Sequence, residues 1–162
     1  MNIRLAAPLT YDSIVDGYGI RIVVWTQGCP HNCFKCHNPE THDITKGFDK
    51  DIDELVKDIV KYPLKSGVTL SGGDPFYQKH ATLELVKKLK ENKLNIWIYT
   101  GYLYENLLLD PICKEILSYT NVIVDGPFIL KEHHPLLKFK GSKNQRIIDV
   151  QKSLISNKII EA

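Results

Sequence analysis

Apolar residues along the chain recur with two different periods, and the two alternate. Arg21 to Thr26 is a run rich in Ile, Val and Trp and reads as a buried strand. Ile52, Leu55, Val56, Ile59 and Val60 fall at helical spacing, and that helix must stop before Pro63. Val68 to Leu70 predicts a short second strand that runs into Ser71-Gly72-Gly73-Asp74-Pro75. Leu83, Leu85, Val86 and Leu89 predict a second helix, and Leu94 to Tyr99 a third strand closing at Thr100-Gly101. Tyr104 to Leu117 reads as helix, broken or restarted at Asp110-Pro111. Val122 to Val124 is a fourth strand, ending in Asp125-Gly126-Pro127.

Strand–helix–strand repetition implies parallel strands joined by right-handed crossovers, with helices outside the sheet. A partial (β/α) barrel and an open doubly wound sheet both satisfy this pattern. In either, functional residues gather beyond the carboxyl ends of the strands.

Composition narrows the possibilities further. A chain of 162 residues suits one domain, 1–162, with a real core. Apolar residues make up 43% and charged residues 25%, an ordinary globular balance. A net charge of +2 gives no pull towards nucleic acid or a membrane surface. Met1-Asn2-Ile3-Arg4 opens no apolar signal core, and no apolar run is long enough to cross a bilayer. A cytoplasmic protein is the expectation, and in that reducing setting crowded cysteines bind metal or do redox chemistry.

Of four cysteines, three fall in Cys29-Pro30-His31-Asn32-Cys33-Phe34-Lys35-Cys36. Thiolates are soft ligands that suit iron–sulfur clusters, zinc or copper(I). A [4Fe–4S] cube on three thiolates leaves one iron open to another molecule, whereas an electron-transfer cluster normally takes four. Structural zinc, with His31, His37 or His42 as fourth ligand, is the plainer alternative. Cys113, far along the chain in a helical stretch, reads as a small buried hydrophobe.

Gly72-Gly73-Asp74-Pro75 lies between a strand and a helix. Two glycines allow backbone to approach a ligand closely. Asp74 can accept hydrogen bonds from an ammonium group, or simply cap the next helix. No Gly-Lys-Ser/Thr follows, so this is not a phosphate-binding P-loop.

C-x3-C-x2-C after the first predicted strand and Gly-Gly-Asp after the next resemble the radical S-adenosylmethionine superfamily. Asp16-Gly17-Tyr18-Gly19-Ile20-Arg21, His37-Asn38-Pro39-Glu40-Thr41, Ile98-Tyr99-Thr100-Gly101-Tyr102, Val124-Asp125-Gly126-Pro127-Phe128 and Gly141-Ser142-Lys143-Asn144-Gln145-Arg146 extend the likeness. Within the superfamily they resemble the activating proteins of anaerobic ribonucleoside-triphosphate reductases.

The resemblance implies a partial (β/α) barrel and a [4Fe–4S] cluster on Cys29, Cys33 and Cys36. Its open iron would chelate the amino and carboxylate groups of S-adenosylmethionine. Gly72, Gly73 and Asp74 would hold the amino group, Thr100 the ribose or carboxylate, and Lys35 and His37 would line the adenine side. Many members carry an aromatic or apolar residue where Lys35 stands, so the adenine contact there would fall to backbone or to the lysine stem. The cleaved cosubstrate would yield a radical that takes a hydrogen atom from a glycine of the large reductase subunit. No side-chain acid, base or nucleophile is required, since cluster and cosubstrate carry the chemistry. The implied partners are that subunit and a one-electron donor such as flavodoxin.

Rival readings are an activase of the pyruvate formate-lyase type, another radical enzyme acting on a small molecule, and a zinc-binding module without catalysis. Lys131, Lys138, Lys140, Lys143 and Arg146 face a single acid, Glu132, between residues 131 and 146. That stretch could dock the reductase or be a plain solvated loop. His133 and His134 read as surface residues, Trp25 and Trp97 as core, and Asp125, at a strand end, as a candidate site residue.

Overall fold

Four parallel strands run side by side at the centre of an eight-stranded sheet. They are β3 (Arg21–Thr26), β5 (Gly67–Gly72), β6 (Ile96–Tyr99) and β7 (Val122–Asp125), adjacent in that order. This is a computed structural model, and it describes every residue except Asn32, Phe34, Lys35, His37, Asn38 and Leu64. Crossovers between the strands carry α1 (Ile52–Lys61), α2 (Lys79–Glu91), and the pair α3 (Tyr104–Leu107) and α4 (Pro111–Ser118). The expected break before Pro111 is there. Asp110 accepts hydrogen bonds from the Ile112 and Cys113 N–H groups, and Pro111 takes the first helical turn, where no N–H is missed.

The sheet is mixed, which corrects the expectation of parallel strands alone. β1 (Asn2–Leu5) and β2 (Thr10–Ser13) pair antiparallel with β3, β4 (Phe48–Asp51) pairs antiparallel with β1, and β8 (Arg146–Asp149) with β7. Each is four residues long, and Thr-Tyr-Asp-Ser or Phe-Asp-Lys-Asp has no apolar run to betray it. Pairing with a buried neighbour, not propensity, makes these strands. A last helix, α5 (Val150–Ser156), follows β8 and ends at Asn157 in the left-handed conformation (φ 55°).

Side chains alternate across the strands, so the sheet has two unlike faces. Ile22, Val24, Val68, Leu70, Ile96, Ile98, Ile123 and Ile148 meet Leu55, Ile59, Leu85, Leu89, Ile116 and Leu117 of the helices in the main core. The other face presents Arg21, Val23 and Trp25 from β3, Thr69 and Ser71 from β5, Trp97 and Tyr99 from β6, and Val122 and Val124 from β7. Loops cover it. Tyr18 sets its ring edge-on to Trp97 at 5.1 Å, and Phe139 lies 5.2 Å from Tyr18 and 5.7 Å from Trp97.

Arg21 closes the amino-terminal end of this second face. Its guanidinium is 2% exposed and donates to Thr69 Oγ1, to the Tyr18, Val68 and Asn95 carbonyls and to Asn95 Oδ1. It also lies over the Trp97 ring. Burial lowers its pKa to about 10, and those acceptors are what make a buried cation tolerable. Chemistry is left to the opposite, carboxyl-terminal end.

Candidate functional site

The cysteine loop leaves β3 and is tied down on both sides by backbone. Gly28 N–H donates to Thr41 O (2.6 Å) and Cys29 N–H to His42 O (3.1 Å). On the other side Gly73 N–H donates to Thr26 O and Asp74 N–H to Gly28 O, both at 2.8 Å. The two glycines after β5 make that approach possible. Gly72 has φ +98°, and a Cβ there would sit 2.6 Å from Thr26 O. A Cβ on Gly73 would sit 2.4 Å from Gly28 O. Their smallness therefore serves backbone-to-backbone packing of the cysteine loop, whatever else it permits.

Asp74 is the hub of the site. It is 1% exposed and accepts from Phe76 N–H (3.0 Å), from the Thr100 hydroxyl (2.9 Å to each oxygen) and from Gly101 N–H (2.9 Å). His31 Nε2 stands 2.5 Å from its Oδ2. The capping role foreseen for Asp74 is thus present, and the carboxylate also joins the ends of β5 and β6 to the cysteine loop. Thr100 lies within this hub. His31, foreseen only as one of three fourth ligands in the zinc alternative, fits a slot: its ring meets Tyr102 edge-on at 4.4 Å, and a Cβ on Gly101 would come within 2.6 Å of it. No sequence signal marks that contact, because His31 and Asp74 are brought together only by the parallel alignment of β3 and β5.

A cavity of about 620 Å³ opens above these strand ends. Cys29, Cys33 and Cys36 line it together with Gly72, Gly73, Asp74 and Thr100. Burial, with smaller contributions from Asp74 and the other two thiols, pushes the Cys29 thiol up to about 11. A cation binding there must displace its proton. Lys35 and His37, expected on the adenine side, lie outside the described residues.

The donor set fits an iron–sulfur cube. The three thiols are soft donors, and they share the wall of one cavity of about 620 Å³. His42 Nε2 is buried in the same wall and has no hydrogen-bond partner among the described residues, so the site holds a polar group that a bound guest can satisfy.

The basic segment is folded back over the second face of the sheet. Gln145 Oε1 accepts from Gly141 and Ser142 N–H groups, and its Nε2 donates to Gly126 O. Asn144 Nδ2 donates to Pro127 O (2.8 Å), and Ser142 Oγ accepts from Ile129 N–H. These bonds staple the two ends of the loop, and its middle, including His134, Leu137, Lys138 and Phe139, lines the cavity. His133 and His134 are exposed, as expected, but they stand on its rim.

Asp125 is placed elsewhere than a strand-end site residue would be. It is fully buried, outside the cavity lining, and takes hydrogen bonds from Arg146 and from Tyr104 N–H (2.8 Å). Cys113 is in the main core, as foreseen. Trp97 is buried, whereas Trp25 is only half-buried, lines the cavity and donates from Nε1 to Thr10 Oγ1 (2.7 Å).

Fold and cysteine loop together define a class, small α/β proteins with an iron–sulfur loop at the strand ends. Residues 15–148 match the family model described as a 4Fe–4S single cluster domain. The chain belongs, more narrowly, to the family of anaerobic ribonucleoside-triphosphate reductase-activating proteins. It is 33% identical over 142 residues to the protein of that name from Pasteurella multocida, covering 83% of this chain and 90% of that one. The protein of Escherichia coli (strain K12) is 33% identical over 140 residues (82% and 90%), and that of Enterobacteria phage T4 33% over 152 residues (86% and 93%). Among solved structures, QueE from Escherichia coli shares the fold with a TM-score of 0.52. That match is at 22% identity and covers 62% of this chain and 53% of QueE.

Proposed function

We propose that the chain is a glycyl-radical activase that uses S-adenosylmethionine to place a radical on a glycine of the anaerobic ribonucleoside-triphosphate reductase. The observation that carries this reading is the convergence of three thiols, the Gly72-Gly73 turn and the Asp74–Thr100 hub on one cavity. In this reading Cys29, Cys33 and Cys36 hold three corners of a [4Fe–4S] cluster. When bound, the reduced cluster would supply the one electron that reductive cleavage of S-adenosylmethionine requires.

The chain's own residues bind and orient. Gly72 and Gly73 bring backbone to the cosubstrate's amino end, and Asp74, held rigid by Thr100, Gly101 and Phe76, gives that end a negative charge. The adenine side falls, by the family resemblance, to Lys35 and His37, which lie outside the described residues. In this reading the sheet is a partial (β/α) barrel, residues 1–162 are one domain, and the loops over the second face help to shield the reacting centre. The setting is the cytoplasm, with a one-electron donor such as flavodoxin; no described helix is long and apolar enough to cross a membrane.

Anaerobic reconstitution followed by mixing with the reductase tests this. The wild-type protein is expected to turn brown with bound iron and sulfide. Electron paramagnetic resonance of the mixture should then show a glycyl radical doublet. Cys33→Ala should lose the cluster and the doublet alike. A colourless wild-type protein holding zinc, or a full doublet from Cys33→Ala, overturns the assignment.

A further inference from the structure

His42 sits on a pinned backbone at the root of the cysteine loop. Its N–H donates to Pro39 O (3.2 Å), closing the short 3₁₀ turn Pro39–Thr41, and its C=O accepts from Cys29 N–H (3.1 Å). Beside it, Thr41 O accepts from Gly28 N–H. Gln27, 2% exposed just past β3, clamps the same stretch from both sides. Its Nε2 donates to Glu40 O (3.0 Å) and to Asp43 O (2.7 Å). The position of His42 against Cys29 is therefore set by backbone and by a buried amide, not by the imidazole itself.

That leaves the ring available for something else. His42 lines the cavity that Cys29, Cys33 and Cys36 share, and its Nε2 is buried with no hydrogen-bond partner among the described residues. The adjacent acid does not serve it, because Asp43 Oδ1 is taken by Thr45 N–H (2.9 Å) and Thr45 Oγ1 (2.6 Å). Buried side-chain nitrogens are ordinarily bonded, and an exception within a site points to a group that completes it.

The chemistry of the site says which group. Asp74, at the cosubstrate's amino end, already has its donors in Phe76, Thr100, Gly101 and the His31 ring. Ligated thiolates and sulfides offer only acceptors, and hydrogen bonds to those sulfurs help to set a cluster's reduction potential. An N–H aimed at sulfur favours the reduced, more negative form.

We propose that His42 Nε2–H donates to a sulfur of the cluster held by Cys29, Cys33 and Cys36, and so raises its reduction potential without binding iron. This deepens the activase reading and rests on it. His42→Phe keeps a ring in the wall and removes the donor, whereas His42→Gln keeps an N–H at similar reach. Both variants retain the three thiols, so iron and sulfide after anaerobic reconstitution should equal wild type. In a potentiometric titration read by electron paramagnetic resonance, the reduction equilibrium of His42→Phe should fall about tenfold, which is about 59 mV for a one-electron couple. His42→Gln should recover most of that difference, and cosubstrate Kd should be the same in all three proteins. Pulsed measurements on reduced wild type carrying ¹⁵N-histidine should show a weak nitrogen coupling that His42→Gln removes. Equal midpoints in wild type and His42→Phe overturn the proposal, and so does wild type without that coupling. Loss of iron from both variants overturns it too, since His42 would then be a ligand, and a change in cosubstrate Kd in place of the midpoint would assign the ring to that seat. A wild-type protein that takes up no iron and sulfide overturns the activase reading itself, before any variant is compared.

Discussion

Asp74 shows how one residue can serve structure and site together. Its carboxylate takes donors from the turn that follows it, from the end of β6 and from the cysteine loop. Asp74→Ala would leave the Phe76 and Gly101 N–H groups without their acceptor in a buried setting. The expected cost is about 2–4 kcal/mol, or a fall in Tm of roughly 5–15 °C, read by calorimetry on the metal-free protein. Cosubstrate affinity of the reconstituted variant should fall as well. A Tm equal to wild type would show that the hub carries no stability. The three-cysteine spacing stood out as a candidate metal loop because few other uses require thiols at those intervals, whereas the Gly-Gly-Asp turn by itself reads equally as a tight turn with a capping Asp74. The His31–Asp74 contact did not stand out, since 43 residues separate the pair and no local pattern marks it.

Among the elements, β8 and α3 depend on one ion cluster. Arg146 at the start of β8 reaches Asp125 at the end of β7 and Glu105 in α3 (2.6 Å). Arg146→Ala strands the fully buried Asp125 carboxylate, and the expected loss is about 3 kcal/mol in chemical denaturation. Arg146→Lys, which keeps the charge without the forked geometry, should recover part of it. Hydrogen bonding from Arg146 holds the Glu105 carboxyl below its ordinary value, against the opposing effect of burial. A lowered folded-state value means stability that is present above the unfolded value, about 4.3, and lost as pH falls through the folded one. Denaturation midpoints should therefore drop between pH 5 and pH 3 by more in wild type than in Arg146→Ala, by an amount small for so exposed an acid. Equal slopes would show that the pair is not felt. The central strands and α1, α2 and α4 could be read from hydrophobic period, but β8 could not, because its register is set by β7 and this ion cluster.

At the scale of the whole molecule, the two sheet faces divide the labour. Helices pack one face into the main core, and loops close the other around the cavity. Phe139 holds the 131–145 loop to that second face through Tyr18 and Trp97, in a left-handed conformation (φ 64°) that is uncommon for a bulky residue. Phe139→Ala should release the loop. Amide exchange across 131–145 should quicken roughly tenfold, while β3, β5 and β6 keep their protection. Exchange that rises everywhere would mean that the ring supports global stability instead.

The order of residues alone determined where three thiols gather and which strands run parallel. Both are written locally, as ligand spacing after a strand and as apolar runs that alternate with helical periods. Tertiary structure decided the rest: the antiparallel strands that make the sheet mixed, Asp74 as a shared acceptor, Asp125 as a buried counter-ion, and the basic loop as a wall of the cavity. Those outcomes come from contacts between segments far apart in the chain, where burial and hydrogen-bond completion override what any short stretch prefers.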